Sequence, residues 1–90
     1  MEITFTDHAR FEMNRRQISE ELVKSVIKNS EQRYIARKGR VVLQSKYKNS
    51  IEQKEMLLRV ICKEVNEVFI VITAYKTSKI EKYWKEEMVK

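Results

Sequence analysis

The hydrophobic pattern of the chain changes its period once, near Gln32, and this change limits the folds open to it. Before Gln32 the apolar residues recur at helical spacing, and after it they alternate at strand spacing. Helices followed by consecutive strands with short connections are typical of an α+β fold with a mainly antiparallel sheet. The sequence therefore predicts two N-terminal helices packed on four or five strands, with a C-terminal helix after them.

Capping signals set the helix boundaries. Thr6 or Asp7 suits the N-cap of a first helix over residues 7–16, and Ser19 suits the N-cap of a second. The sequence Ser78-Lys79-Ile80-Glu81 has the form of a capping box, which predicts a final helix beginning there.

Strand alternation and turn residues predict the positions of the strands and hairpins. The chain's only glycine, Gly39, lies where a tight hairpin turn needs positive φ. A second hairpin is predicted around Asn66. Strands are predicted at residues 1–5, 32–37, 40–47, 55–63 and 68–75.

Size and composition predict one domain over residues 1–90. There is no proline and no low-complexity linker to divide the chain. The longest apolar stretch, residues 68–72, is far too short to span a bilayer, and no charged-then-apolar leader opens the sequence. The single cysteine, Cys62, lies in an apolar strand and is expected to be a buried, inert thiol. We therefore expect a cytoplasmic protein without a membrane partner.

The net charge of +6 is unevenly distributed. Residues 32–48 contain no acidic residue. Such a strip attracts a polyanion, because neutralised phosphates release condensed counterions. The alternative is a solvated hairpin whose charge discourages edge-to-edge pairing. The residues predicted to contact a nucleic-acid backbone are Arg15, Arg16, Arg33, Arg37, Lys38, Arg40, Lys46 and Lys76.

The start of the chain carries a resemblance to a known family. Residues 8–19, HARFEMNRRQIS, resemble a small bacterial family of unknown function whose members open with H-A-x-x-R-M-x-x-R-G-I-[ST]. The strands LRVI at 58–61 and IVITAY at 70–75 match its later pattern. Two residues depart from it: Glu12 stands where arginine is usual, and Gln17 where glycine is usual. The resemblance implies a fold similar to RelE-type toxins and to the metal-independent ribonucleases around barnase and the colicin nucleases.

His8 is the first candidate catalytic residue, because histidine is the side-chain type whose unperturbed pKa lies nearest neutrality. On a helix, His8, Glu12 and Arg15 fall on one stripe, so the carboxylate is placed to orient the imidazole. The alternative is a partly exposed helix histidine that only helps the helix begin. The resemblance favours the catalytic role.

Three residues of the last two strands complete the predicted catalytic group. Arg59 interrupts an apolar strand, and its guanidinium matches phosphate oxygens; the alternative is an outward-facing strand residue. A hairpin folded symmetrically about Asn66 pairs Arg59 with Thr73 and puts Leu57 opposite Tyr75. Strand alternation then places Thr73 and Tyr75 on the same face as Arg59. Tyr75 is expected to donate a proton or stack on a base.

The sequence holds no motif for other chemistry. One histidine and one cysteine make no zinc site, and one glycine makes no phosphate loop, so no metal and no cofactor is expected. The prediction is a toxin-like, metal-independent ribonuclease that acts on RNA. If it belongs to a toxin–antitoxin pair, an acidic antitoxin-like protein is its expected partner. The alternative is a non-catalytic nucleic-acid- or protein-binding module on the same fold.

Overall fold

The structure, a computed structural model, describes residues 2–88. It is an α+β fold, as the hydrophobic period predicts. The elements in chain order are β1 (Glu2–Phe5), α1 (Asp7–Arg15), α2 (Glu20–Lys28), β2 (Gln32–Ile35), β3 (Val41–Asn49), β4 (Lys54–Val65), β5 (Val68–Thr77) and the one-turn helix α3 (Ile80–Tyr83). Short 3₁₀ turns lie at Arg37–Gly39 and Glu86–Met88.

The five strands form one mixed sheet in the order β1-β5-β4-β3-β2. Consecutive strands from β2 to β5 are antiparallel, which confirms the predicted meander. β1 pairs parallel to β5. Between these two strands the chain forms α1, α2 and three other strands. Parallel neighbours need such a long connection.

The helix starts agree with the capping predictions. The Thr6 hydroxyl accepts a hydrogen bond from the Ala9 amide at 3.0 Å, and the Ser19 hydroxyl accepts one from the Leu22 amide at 3.1 Å. Each bond satisfies an amide that would otherwise have no partner in the first helical turn. The glycine turn is also as predicted, with φ of 69° at Gly39.

The hydrophobic core lies between the two long helices and one face of the sheet, called here the helical face. Ala9 and Met13 of α1 and Val23 of α2 are almost fully buried there. Cys62 is buried in the same core, and loss of solvation raises the pKa of its thiol to about 12. The prediction of a buried cysteine is therefore confirmed.

The pairing register of the last hairpin differs from the prediction. Arg59 lies opposite Tyr75, not Thr73, and Thr73 lies opposite Ile61. The turn is two residues long, Asn66-Glu67, and a β-bulge leaves Ile72 without a partner on β4. These two differences shift the pairing by two residues, so the predicted shared face survives although the predicted pairs are wrong.

The predicted capping box at Ser78 is wrong. The final helix begins at Ile80 after Lys79, ends at Tyr83, and has no side-chain cap. Residues 78–88, called here the C-terminal segment, pack on the sheet face opposite the helices, called here the distal face. Hydrogen bonds between sheet glutamines and the backbone of Tyr83 and Lys85 hold them there. Tertiary contacts, not helical periodicity, decide the shape of this segment.

Candidate functional site

The exposed side of α1 carries a stripe of titratable side chains. His8 is exposed, and Glu12 lies one turn later on the same side of the helix. Arg15 reaches back to the Glu12 carboxylate, with its Nη2 at 2.5 Å from Oε2, and Arg16 Nη2 lies at 3.4 Å from the same oxygen. Although Glu12 is on the helix surface, these guanidinium groups leave only 12% of its side chain exposed.

The charges around Glu12 favour its ionised form. The hydrogen bond from Arg15 is the largest of the effects that lower the pKa of the Glu12 carboxyl below its usual value, and the nearby charges of Arg16 and His8 act in the same direction. Glu12 is therefore a carboxylate at neutral pH, one helical turn from the imidazole of His8.

Arg16 connects this stripe to the sheet. Its Nη1 donates to the backbone carbonyl of Ala74 at 2.9 Å and lies 3.4 Å from the hydroxyl of Thr73. The contact is open because β1 pairs with β5 only as far as Phe5 opposite Val71, so residues 72–77 form a sheet edge that β1 does not cover. Glu12, Arg16 and Thr73 therefore meet at one edge, called here the α1–β5 edge, and His8 lies one helical turn before Glu12 on the same helix.

Arg59 belongs to a different cluster, on the distal face. Its Nε donates to the Gln44 side-chain oxygen at 2.9 Å, and its two terminal nitrogens donate to the hydroxyls of Tyr75 and Tyr34. The Tyr83 ring of the C-terminal segment stacks 4.3 Å from the Arg59 guanidinium carbon. Only 9% of Arg59 is exposed.

Burial dominates the chemistry of Tyr75. Loss of solvation raises the pKa of the Tyr75 phenol, and this effect outweighs the opposite influence of the Arg59 charge. The phenol therefore stays protonated, with its oxygen accepting a hydrogen bond from Arg59.

The Arg59 cluster is part of a polar row that crosses four strands. Gln32, Gln44, Arg59 and Tyr75 are paired in register from β2 to β5. Gln44 donates to the Gln32 side-chain oxygen at 2.7 Å and to the Tyr83 carbonyl at 3.0 Å. Gln32 donates to the Lys85 carbonyl at 2.8 Å and accepts from the Lys85 amide at 3.0 Å.

These contacts define what the distal row does in this structure. Its amides bind the backbone of the C-terminal segment, and its guanidinium donates to two phenols and an amide. A buried charge needs such partners to offset its lost solvation. In this conformation Arg59 fastens the C-terminal segment and offers no open face to a phosphate.

The predicted catalytic residues thus fall into two groups. Arg59 and Tyr75 are in direct contact, whereas His8 lies with Glu12 on the helix that covers the opposite face. Thr73 stands between the groups, since it contacts Arg16 and lies two residues before Tyr75 on β5. Sequence reasoning did not find the contact of Arg16 with β5, because no local pattern encodes a contact between residues 57 positions apart.

The predicted nucleic-acid-binding residues are also dispersed. Arg33 forms an ion pair with Glu64 at 2.8 Å, and Lys76 lies 3.9 Å from Glu52. Lys46 lies 4.1 Å above the ring of Trp84 on the distal face. Arg37 and Lys38 are exposed in the turn between β2 and β3, and Arg40 is half-buried beside them. The basic strip is therefore not one surface, because strand alternation sends its members to both faces.

Residues 2–88 contain no group of three His, Cys, Asp or Glu side chains placed to hold a metal ion. None of the helices formed by these residues has the length and apolar character needed to cross a membrane.

Sequence comparison places the chain in a family. Residues 5–76 match the family described as Domain of unknown function (DUF4258), which covers α1, α2 and nearly all of the sheet. The chain belongs to this family. No curated protein and no solved structure matches it. The match to DUF4258 spans both the α1–β5 edge and the strand residues of the distal row, and it ends before the C-terminal segment.

Proposed function

We propose that this DUF4258 protein is a toxin-like ribonuclease that cleaves RNA without a metal ion, at the α1–β5 edge. The observation that carries the proposal is the position of Arg16. It binds Glu12 on its own helix and the Ala74 carbonyl and Thr73 hydroxyl on β5. A carboxylate and a guanidinium are thereby held at one open edge, and the imidazole of His8 lies one helical turn before the carboxylate.

These three groups match the needs of metal-free RNA cleavage. Glu12 accepts the proton of the 2′-hydroxyl, whose oxygen attacks the adjacent phosphorus. Arg16 stabilises the charge that develops on the phosphorane oxygens. The bond from phosphorus to the 5′-oxygen breaks, and His8 gives its proton to that oxygen. The products are a 5′-hydroxyl and a 2′,3′-cyclic phosphate. DNA lacks the 2′-hydroxyl and is not a substrate for this reaction.

The electrostatics of α1 support these roles. The pKa of Glu12 is lowered by the Arg15 hydrogen bond and by the Arg16 and His8 charges, so the carboxylate is in the ionised form that a base needs, although the same lowering makes it a weaker proton acceptor. Thr73 holds Arg16 and is a positioning residue in this assignment. Arg59 and Tyr75, which the sequence favoured for this chemistry, serve here to hold the C-terminal segment.

A second candidate function is a non-catalytic nucleic-acid-binding module. The observation that favours it is the burial of Arg59, since the most buried guanidinium of the described residues is bound to two phenols and an amide. In that case the exposed lysines supply an affinity that falls steeply with salt. If the protein is a toxin, its expected partner is an acidic protein that covers the α1–β5 edge.

The test is cleavage of total RNA in EDTA by the purified protein. We expect wild-type cleavage that falls at least about a hundredfold in His8→Ala and in Glu12→Gln, the usual scale for lost acid–base catalysis. Glu21→Gln, an exposed carboxylate on α2, is the matched control and keeps full activity. Salt-sensitive RNA binding without cleavage by the wild type would replace the first function with the second.

A further inference from the structure

A cavity of about 320 Å³ lies beside the α1–β5 edge. It is open to solvent and is bordered by the turn between α1 and α2, the tip of the β3–β4 hairpin and the end of β5. The cavity adjoins the proposed catalytic residues, because Gln17, which lines it, directly follows Arg16 in the sequence. Lys76 of its lining lies on β5 two residues after Ala74, whose carbonyl holds Arg16.

The lining of this cavity combines the groups that a nucleotide needs. Tyr47, Leu22 and Ile51 supply aromatic and aliphatic surface for a base, and Lys48 and Lys76 supply positive charge for a phosphate. No carboxylate is among its described lining residues, although Glu52 lies 3.9 Å from Lys76. A larger cavity of about 600 Å³ beside α3 is less suited to RNA, because Glu55 and Glu81 line it.

The walls of the smaller cavity are built by specific hydrogen bonds. The Asn49 side-chain oxygen accepts from the amides of Ile51 and Glu52, each at 2.9 Å, and its nitrogen lies 3.4 Å from the Tyr47 hydroxyl. These bonds hold Ile51 on an ordered turn with 73% of the residue exposed. An isoleucine held in solvent at a cavity rim offers apolar surface to a ligand.

Gln17 is the most informative residue of this cavity. The Ile18 amide donates to the Met13 carbonyl at 2.8 Å and the Gln17 amide to the Asn14 carbonyl at 3.2 Å, which is the Schellman ending of a helix. Gln17 occupies the left-handed position of this motif, with φ of 58°. Glycine adopts that backbone without strain, whereas glutamine pays a conformational cost.

The glutamine side chain supplies what glycine lacks there. It is exposed and lines the cavity, and its amide carries both donors and an acceptor. Donor–acceptor pairs of this kind read the edges of bases. The left-handed backbone of Gln17 thus carries an exposed amide at the rim of the cavity, next to Arg16.

We propose that this cavity binds the nucleobase next to the cleaved phosphodiester, with Gln17 selecting the base by hydrogen bonds to its edge. Tyr47 and Ile51 pack against the base, and Lys76 contacts the neighbouring phosphate. This subsite rests on the proposed ribonuclease function, since it takes its position from Arg16.

The experiment compares Gln17→Gly with Gln53→Gly in the full chain. Gln53 is a matched control, because it also has a left-handed backbone, with φ of 55°, and does not line the cavity. Each protein cleaves four RNA oligonucleotides that differ only in the base beside the cleaved bond. We expect the ratio of best to worst substrate to fall about tenfold in Gln17→Gly, the value of one bidentate base contact, and to stay unchanged in Gln53→Gly.

The outcomes separate the subsite from the function. If Gln17→Gly cleaves RNA with the same ratio of best to worst substrate as the wild type, the subsite proposal is wrong and the ribonuclease proposal is unaffected. If the wild type cleaves no RNA, the four 5′-mononucleotides are titrated while the NMR signals of Tyr47 and Ile51 are followed. Shifts that are lost in Gln17→Gly support the subsite without the cleavage function, and the absence of shifts overturns it.

Discussion

Arg59 donates a hydrogen bond to the hydroxyl of Tyr75 because a bulge at Ile72 brings these two residues opposite each other. From the turn to the bulge, β5 pairs with β4 in the register that joins Val65 to Val68. If the same register continued without the bulge, Ala74 would lie opposite Arg59. The Tyr75 side chain would then point to the other face of the sheet, away from Arg59. One extra residue therefore decides whether the buried guanidinium has a phenolic partner.

Tyr75→Phe removes that partner while keeping the ring. We expect the free energy of unfolding to fall by about 1–3 kcal/mol, because a buried charged donor is left without an acceptor. Urea denaturation measures the change. Tyr47→Phe is the control, since the Tyr47 hydroxyl is 3.4 Å from its partner, and it should cost less. Equal effects of the two substitutions would contradict a specific role for the Arg59–Tyr75 bond.

Gln32→Ala should loosen the C-terminal segment. It removes both hydrogen bonds to the backbone of Lys85, and the rest of the fold keeps its core. The chain has a single tryptophan, Trp84, which lies in this segment, so its fluorescence reports the change directly. We expect a red-shifted emission and stronger quenching by acrylamide. Gln53→Ala, on the exposed β3–β4 turn, is the control and should leave the emission maximum and the acrylamide quenching unaltered. An unchanged spectrum in Gln32→Ala would mean that other contacts hold the C-terminal segment.

Cys62 should make the protein less stable at high pH. Burial raises the pKa of its thiol from 9.0 to about 12, so the neutral thiol is favoured in the folded state. Between these values the unfolded chain ionises and the folded chain does not. The free energy of unfolding therefore falls by about 1.4 kcal/mol per pH unit over this range.

Cys62→Ala isolates this effect from the other groups that titrate at high pH. The variant is expected to be about 1 kcal/mol less stable than the wild type at pH 8, because it leaves a small cavity. The difference should shrink as the pH rises and reverse by pH 11. Urea denaturation at pH 8, 10 and 11 measures it, and a constant difference would contradict the burial of an ionisable thiol.

The features that the sequence predicted well are those encoded locally. The Thr6 and Ser19 caps and the Gly39 turn each depend on a few adjacent residues, and each is present as predicted. The shared face of Arg59, Thr73 and Tyr75 was also predicted, since strand alternation survives a two-residue shift.

The features that were missed depend on distant parts of the chain. No pattern around Ile72 announces a bulge, and the S-x-x-E sequence at Ser78 forms no capping box because Gln32 and Gln44 hold the residues after it. A signal was present in Gln44, a buried glutamine after three apolar strand residues. A polar residue in such a place needs a partner, and it marks the distal row.

The parallel pairing of β1 with β5 has a consequence for folding. The first strand has no partner until residues 68–71, near the other end of the sequence, are available to it. Arg16 likewise finds its anchor only at Thr73 and Ala74. Contacts of such wide sequence separation form late and slowly. A nascent chain that has emerged only as far as β4 therefore carries a complete α1 without the β5 edge on which it docks, and any activity at that edge begins only after β5 has been made.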